Sequence, residues 1–198
     1  MTWQPDYIDV DELKAYLRIS DTVDDDELAL AVTAASRAVD AWCNRQFGKL
    51  SAPAERLYTG RYDYVQGVWV ADVEDIMTTT GLTVAVDGTT VTGYTLEPAN
   101  AAADGKPWTR MVFSDSPEAI PDGTAGQVAV TATWGWTAVP SAVQLATRLQ
   151  ASRLMSRRDS PYGVAGSPDQ GGQLRLLARV DPDVAVVLRG YSRPRRVG

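Results

Sequence analysis

Four consecutive acids, Asp24-Asp25-Asp26-Glu27, are the densest group of metal-competent ligands in the chain. Hard divalent cations favour such oxygen donors. Successive residues of a helix point in different directions, however, and no glycine-containing calcium loop follows. The favoured reading is a helix start whose acids offset the positive end of the helix dipole. Asp72, Glu74 and Asp75 form a second acidic group. Carboxylate hydrolysis needs two such groups facing each other across a cleft. Nothing in the spacing demands that, so a solvated edge or turn is expected. Gly163-Val164-Ala165-Gly166 with Gly171-Gly172 has the glycine content of a phosphate loop. No Gly-Lys-Ser/Thr follows, and an exposed loop is the better reading.

Absences narrow the chemistry further. The chain has no histidine and one cysteine, Cys43. A Ser-His-Asp triad, a Cys-His pair, a His-based zinc site and a thiolate cluster are all excluded. No enzymatic activity, no cofactor and no resident metal are expected. Six tryptophans are many for 198 residues. Trp69, Trp134 and Trp136 sit in an alternating β pattern and read as sheet core rather than base-stacking platforms. Trp3 and Trp108 flank loops and are candidate intersubunit anchors, since binding hot spots favour Trp, Tyr and Arg.

Charge is unevenly placed. The net charge is −6, but residues 1–140 hold 9 Lys+Arg against 21 Asp+Glu, and residues 141–198 hold 10 Arg against 4 Asp. An acidic body with an arginine-rich end favours head-to-tail association or docking on a partner of opposite charge. Arg148, Arg153, Arg157, Arg158, Arg175, Arg179, Arg193, Arg195 and Arg196 are therefore candidate contacts to a neighbouring subunit or partner protein. Arg193-Pro194-Arg195-Arg196 is too short and unpatterned for sequence-specific DNA reading.

These residues need elements to position them. With 44% hydrophobic and 22% charged residues, the composition is that of a globular domain. No run approaches the ~20 apolar residues of a membrane span, and Met1–Asp6 lacks the pattern of a signal peptide. Helices are predicted at 9–18, at about 24–46, at about 140–157 and at about 183–189. Asp24 and Glu27 have capping-box-like spacing, and Leu28, Val32, Ala35, Val39 and Trp42 form an apolar stripe. The third helix, opening at Pro140, is expected to bury Ala142, Leu145, Ala146 and Leu149. From Arg56 to Trp136 alternation replaces the helical period. Asp87-Gly88 marks a hairpin with a return strand at 90–96, and strands are expected at 108–113 and 127–136. The predicted fold is α+β: mainly an α-helical bundle of about four helices with an inserted small antiparallel β-sheet unit. Its parts are an N-terminal helical segment, 1–50, the β insertion, 56–136, and a C-terminal helical segment, 138–198, with an exposed loop at 158–172 and a basic tail.

Two segments resemble a known family. The run from Asp24-Asp25-Asp26-Glu27-Leu28 through Ala34-Ala35-Ser36-Arg37-Ala38-Val39-Asp40 to Trp42-Cys43-Asn44-Arg45 resembles the opening of phage head-to-tail connector (adaptor) proteins. Pro140-Ser141-Ala142-Val143-Gln144-Leu145-Ala146, continuing to Arg157-Arg158-Asp159-Ser160-Pro161 and then Val180-Asp181-Pro182-Asp183-Val184, resembles the connectors of phages of actinobacterial hosts. The likeness spans 9–47 and 138–191. Residues 56–136 depart from the smallest family members, which largely lack such a segment.

The resemblance implies a non-enzymatic virion protein of the neck, made in the host cytoplasm and acting as a ring of about twelve copies beneath the portal protein. It implies a second partner, a stopper or tail-completion protein, and passing genomic double-stranded DNA held without sequence specificity. The arginines and tryptophans named above then contact portal or neighbour, and Asp24, Asp25, Asp26 and Glu27 face the channel. The alternative is a tail-completion or other neck or decoration protein built on the β segment.

Overall fold

A computed structural model of the chain describes residues 4–113, 118–158, 164–165, 174–175 and 181–193. The chain divides into two compact units, one of Gly48–Ala138, the other of Thr2–Phe47 with Val139–Gly198.

The helical unit contains α1 (Val10–Leu17), α2 (Asp25–Cys43), α3 (Ser141–Arg158) and α4 (Pro182–Leu188). A capping box starts α1: the Asp9 carboxylate accepts the Glu12 N–H and the Glu12 carboxylate accepts the Asp9 N–H. The box predicted at Asp24 does not form: the Asp24 carboxylate makes no capping hydrogen bond and accepts one from Arg158 instead. Asn44 ends α2 in the left-handed conformation, φ 51°. Leu28, Ala31, Val32 and Ala35 pack with Ile8, Leu13 and Ala151 in the core. Trp42, expected in that stripe, is 43% exposed. On α3 the buried residues are Val143, Ala146, Thr147 and Ala151, while Leu145 is exposed. Two short strands, Val164–Ala165 (β9) and Leu174–Arg175 (β10), pair antiparallel.

The second unit corrects the predicted architecture. In place of a small sheet inserted in a helical bundle stand two four-stranded antiparallel sheets. One has the order β1 (Ala54–Tyr58), β8 (Val128–Ala132), β4 (Thr83–Val86), β5 (Thr89–Thr90). The other runs β2 (Arg61–Asp63), β3 (Val68–Ile76), β7 (Trp108–Phe113), β6 (Tyr94–Glu97). The long alternating stretch is cut by turns into short strands, several of which pair far away in sequence: β1 and β4 with β8, and β3 with β7. The predicted return strand illustrates this: Thr89–Thr90 stays beside β4, while Tyr94–Glu97 crosses to the other sheet. The Asp87-Gly88 turn has positive φ at both residues, 50° and 78°, as a tight hairpin requires.

The sheets join at one corner. Strand β3 shifts register between Asp72 and Ile76, and beyond that point Ile76 bridges to Trp134. Gly135 follows with φ +106°, its backbone pressed so close to Gly48 that a Cβ would lie 1.9 Å from the Gly48 carbonyl oxygen. Both neighbouring tryptophans are buried with their indole N–H groups satisfied. Trp134 donates to the Ala54 carbonyl at 2.7 Å, and Trp136 donates to the Asp75 carboxylate at 2.7 Å. Asp75, expected at a solvated edge, is thus part of the buried corner.

Candidate functional site

Four of the charged residues singled out from the sequence, Asp24, Arg148, Arg153 and Arg158, meet in ion pairs of α3. Its arginines 148, 153 and 158 are five residues apart, so each is rotated roughly 140° from the last about the helix axis. They fan out to three different elements. Arg148 reaches Glu12 of α1 at 2.6 Å, Arg153 reaches Asp181 at 3.5 Å, and Arg158 reaches Asp24 with both terminal nitrogens, at 2.8 and 3.4 Å. Asp181 also caps α4, accepting the Asp183 N–H at 2.9 Å. One arginine therefore fastens α3 to each other helical element of its unit. The hydrogen bond from Arg158 holds the Asp24 carboxyl below the usual carboxylate range.

Asp24 and Arg158, assigned from sequence to different surfaces, are thus partners in one chain. Asp25 is engaged by Lys14 at 2.7 Å. Asp26 and Glu27 remain exposed on the first turn of α2, and Arg157 is exposed at the end of α3. The backbone N–H of Arg193 donates to the Cys43 carbonyl at 2.8 Å. Trp108 stands half-buried in β7 opposite Ile76. Arg175 lies in β10 opposite Val164. Trp3, Arg179, Arg195 and Arg196 lie outside the described residues.

Two solved structures share this fold over the whole chain. A chain from the neck of an empty GTA particle, computed with C6 symmetry, has a TM-score of 0.54 and 20% identity, covering 100% of this chain and 96% of that one. A chain from the neck of a native GTA particle, computed with C12 symmetry, has a TM-score of 0.51, 21% identity and the same coverage. No family model and no curated protein matches.

A second polar cluster, unforeseen from sequence, lies on the other side of α2. The Tyr7 hydroxyl donates to the Asp40 carboxylate and accepts the Phe47 N–H at 3.0 Å. Arg37 joins Asp40 at 3.1 Å, donates to the Pro5 carbonyl at 2.7 Å and lies over the Tyr7 ring. Burial drives the Tyr7 and Asp40 pKa values upward. The cluster fixes the segment before α1 to α2. Its one sequence signal is the i, i+3 spacing of Arg37 and Asp40.

Also unforeseen is the exposed aromatic hairpin between β2 and β3, where Tyr64 and Val65 project from the tip. Its signal is a short apolar pair bracketed by the turn formers Asp63 and Gly67. Among the described residues no three His, Cys, Asp or Glu side chains gather as metal ligands, and no helix is long and apolar enough to cross a membrane.

Proposed function

We propose that this chain is a structural subunit of a virion neck. In this reading it is a head-to-tail connector that closes into a ring of about twelve copies under a portal protein. It extends the DNA channel and offers its far side to a stopper or tail-completion protein. The observation that carries the reading is the whole-chain likeness in fold to chains from GTA particle necks computed with C6 and C12 symmetry. Connector-like sequence at both ends of the helical unit supports the same assignment. No catalytic step is part of it.

We assign Arg148, Arg153 and Arg158 to holding the helical unit together, because each has an acidic partner within the chain. Arg157, exposed at the end of α3, and Arg193 are assigned to the portal or a neighbouring subunit. Asp26 and Glu27 are assigned to the channel, where carboxylates repel phosphates and form none of the counterion-releasing contacts that would stall DNA.

Native mass spectrometry with negative-stain imaging over a concentration series tests the proposal. The expected result is closed rings of about a dozen subunits with a hole wide enough for duplex DNA. A discrete dimer or trimer that never proceeds to a ring would refute it.

A further inference from the structure

The β unit holds a polar cleft beside its corner. Residues 133–135 run between two neighbouring segments, bridged by Gly135 to Lys49 on one side and by Trp134 to Ile76 on the other. The Leu50 N–H donates to the Trp134 carbonyl at 2.9 Å, and the Gly135 N–H donates to the Asp75 carbonyl at 2.7 Å. Lys49, Leu50 and Ser51 line the cleft from the first side, Thr78 and Thr80 from the second, and Thr133 from the segment between them. The second wall is a closed turn. Its Thr80 N–H donates to the Thr78 hydroxyl oxygen at 3.2 Å, and the Leu82 N–H donates to the Thr79 carbonyl at 3.1 Å. The two walls meet at one end, where a Cβ on Gly81 would lie 3.1 Å from the Pro53 ring. Groups on walls braced in this way have little freedom left to lose when a ligand arrives.

The lining is suited to one kind of ligand. The cleft measures about 560 Å³, within the range of small-ligand sites. It offers one ammonium and four hydroxyls. Among the described residues no carboxylate lines it to hold a cation, and no aromatic ring or amide lines it to stack on or read a base. Hydroxyls and an ammonium can all donate, and phosphate oxygens accept. Lysine, serine and threonine are regular phosphate ligands, lysine as a point charge. Lys49 is also set apart by charge. The unit holds 5 Lys+Arg against 11 Asp+Glu over residues 48–138. Its arginines are engaged: Arg56 lies over the Trp134 ring, Arg61 pairs with Asp72 and Arg110 with Asp63. Lys49 is exposed, and among the described residues no carboxylate pairs with it.

We infer that this cleft binds a phosphate group, with the Lys49 ammonium as counter-charge and the Ser51, Thr78, Thr80 and Thr133 hydroxyls as donors. The phosphate belongs either to a free phosphate compound or to a DNA backbone, two sources with the same chemistry. Every group in the site comes from one chain, so the inference stands apart from the ring reading.

Calorimetric titration of the full chain with inorganic phosphate tests it, against sodium chloride at matched ionic strength. Saturable binding of phosphate and none of chloride is expected. Lys49→Gln should weaken it by about tenfold or more, since a charged donor is lost. Thr133→Val keeps the side chain's shape without its hydroxyl and should weaken it roughly threefold. Lys106→Gln removes the unit's other exposed lysine, outside the cleft, and should change nothing. Fluorescence anisotropy with a short labelled DNA duplex separates the sources. A duplex that binds the parent, is released by phosphate and is lost in K49Q identifies the DNA backbone. A duplex that does not bind, while phosphate does, identifies a free phosphate compound. Saturable binding of neither probe, or equal losses in K49Q and K106Q, would overturn the site.

Discussion

Replacing Tyr7 with Phe isolates one oxygen atom. The ring keeps its edge-on contact with Phe47, 5.7 Å between centroids, and the site stays filled. What disappears is the hydroxyl that joins Asp40 to the Phe47 backbone. Phe47 is 1% exposed, so its N–H is left buried without an acceptor, at a cost of about 1–3 kcal/mol. The Asp40 carboxylate loses the hydrogen bond donated by the Tyr7 hydroxyl but keeps Arg37. Because one atom serves both bonds the losses do not add, and about 2–3 kcal/mol is expected in total. For a chain of 198 residues that lowers the melting temperature by roughly 4–12 °C, followed by circular dichroism at 222 nm.

The effect also has a pH signature. Burial raises the Asp40 pKa and the Tyr7 hydrogen bond opposes that rise, so the variant's Asp40 pKa is higher still. A raised folded-state pKa means the folded chain binds the proton more tightly, and stability falls as pH rises through that window. The deficit of Tyr7→Phe is therefore largest at neutral pH and shrinks as the pH falls through the carboxylate range. A melting temperature within 1 °C of the parent at pH 7 would refute the account of this cluster.

Three further outcomes follow from the geometry. Arg158→Gln removes the donor that lowers the Asp24 pKa. The stability this pair contributes is present above the ordinary carboxylate pKa and lost as pH falls through the lowered one. Parent and variant should accordingly differ at pH 7 and converge in urea melts taken in acid. Gly135→Ala sets a Cβ 1.9 Å from a backbone oxygen at a φ of +106°, so the corner cannot close. Loss of soluble protein, or destabilisation beyond about 4 kcal/mol in urea, is expected; a soluble variant with parental stability would contradict the corner geometry. Cys43 is buried and its thiol pKa is pushed up to about 12. A chromogenic disulfide at pH 8 should label it in denaturant and leave it unmodified in the folded chain.

The helical unit was the more legible in sequence, because its signals are local. Leu28, Val32, Ala35 and Val39 repeat at the helical period, and Asp181-Pro182 marks a helix start within the same few residues that form it. Boundaries slipped where a side chain had a better partner elsewhere. Asp24 looks like a cap in sequence, but the guanidinium of Arg158, 134 positions away, takes its carboxylate. Trp42 fits the buried stripe by spacing, yet Cys43, one position on, takes the buried place and leaves the indole 43% exposed. The β unit was legible as texture but not as topology. Alternation identifies Val128–Ala132 as a strand; nothing local says that it pairs with Ala54–Tyr58 on one side and Thr83–Val86 on the other. Asp75 was misplaced for the same reason. Its burial depends on the indole of Trp136, 61 residues on.

In the proposed ring, the charge of the subunits makes apolar contacts necessary. Residues 2–47 and 139–198 together hold 14 Lys+Arg and 14 Asp+Glu, and the whole net charge of −6 belongs to the β unit. Within the helical unit, Arg148, Arg153 and Arg158 of α3 are used on Glu12, Asp181 and Asp24, which removes these three from the supply available to neighbours. Identical copies brought side by side therefore repel through their acidic surplus over a Debye length of about 8 Å at physiological salt. Surface ion pairs contribute only about 0–1 kcal/mol each and cannot overcome that alone. Exposed apolar groups such as Val65, Tyr64 and Val186 supply an attraction that salt does not screen.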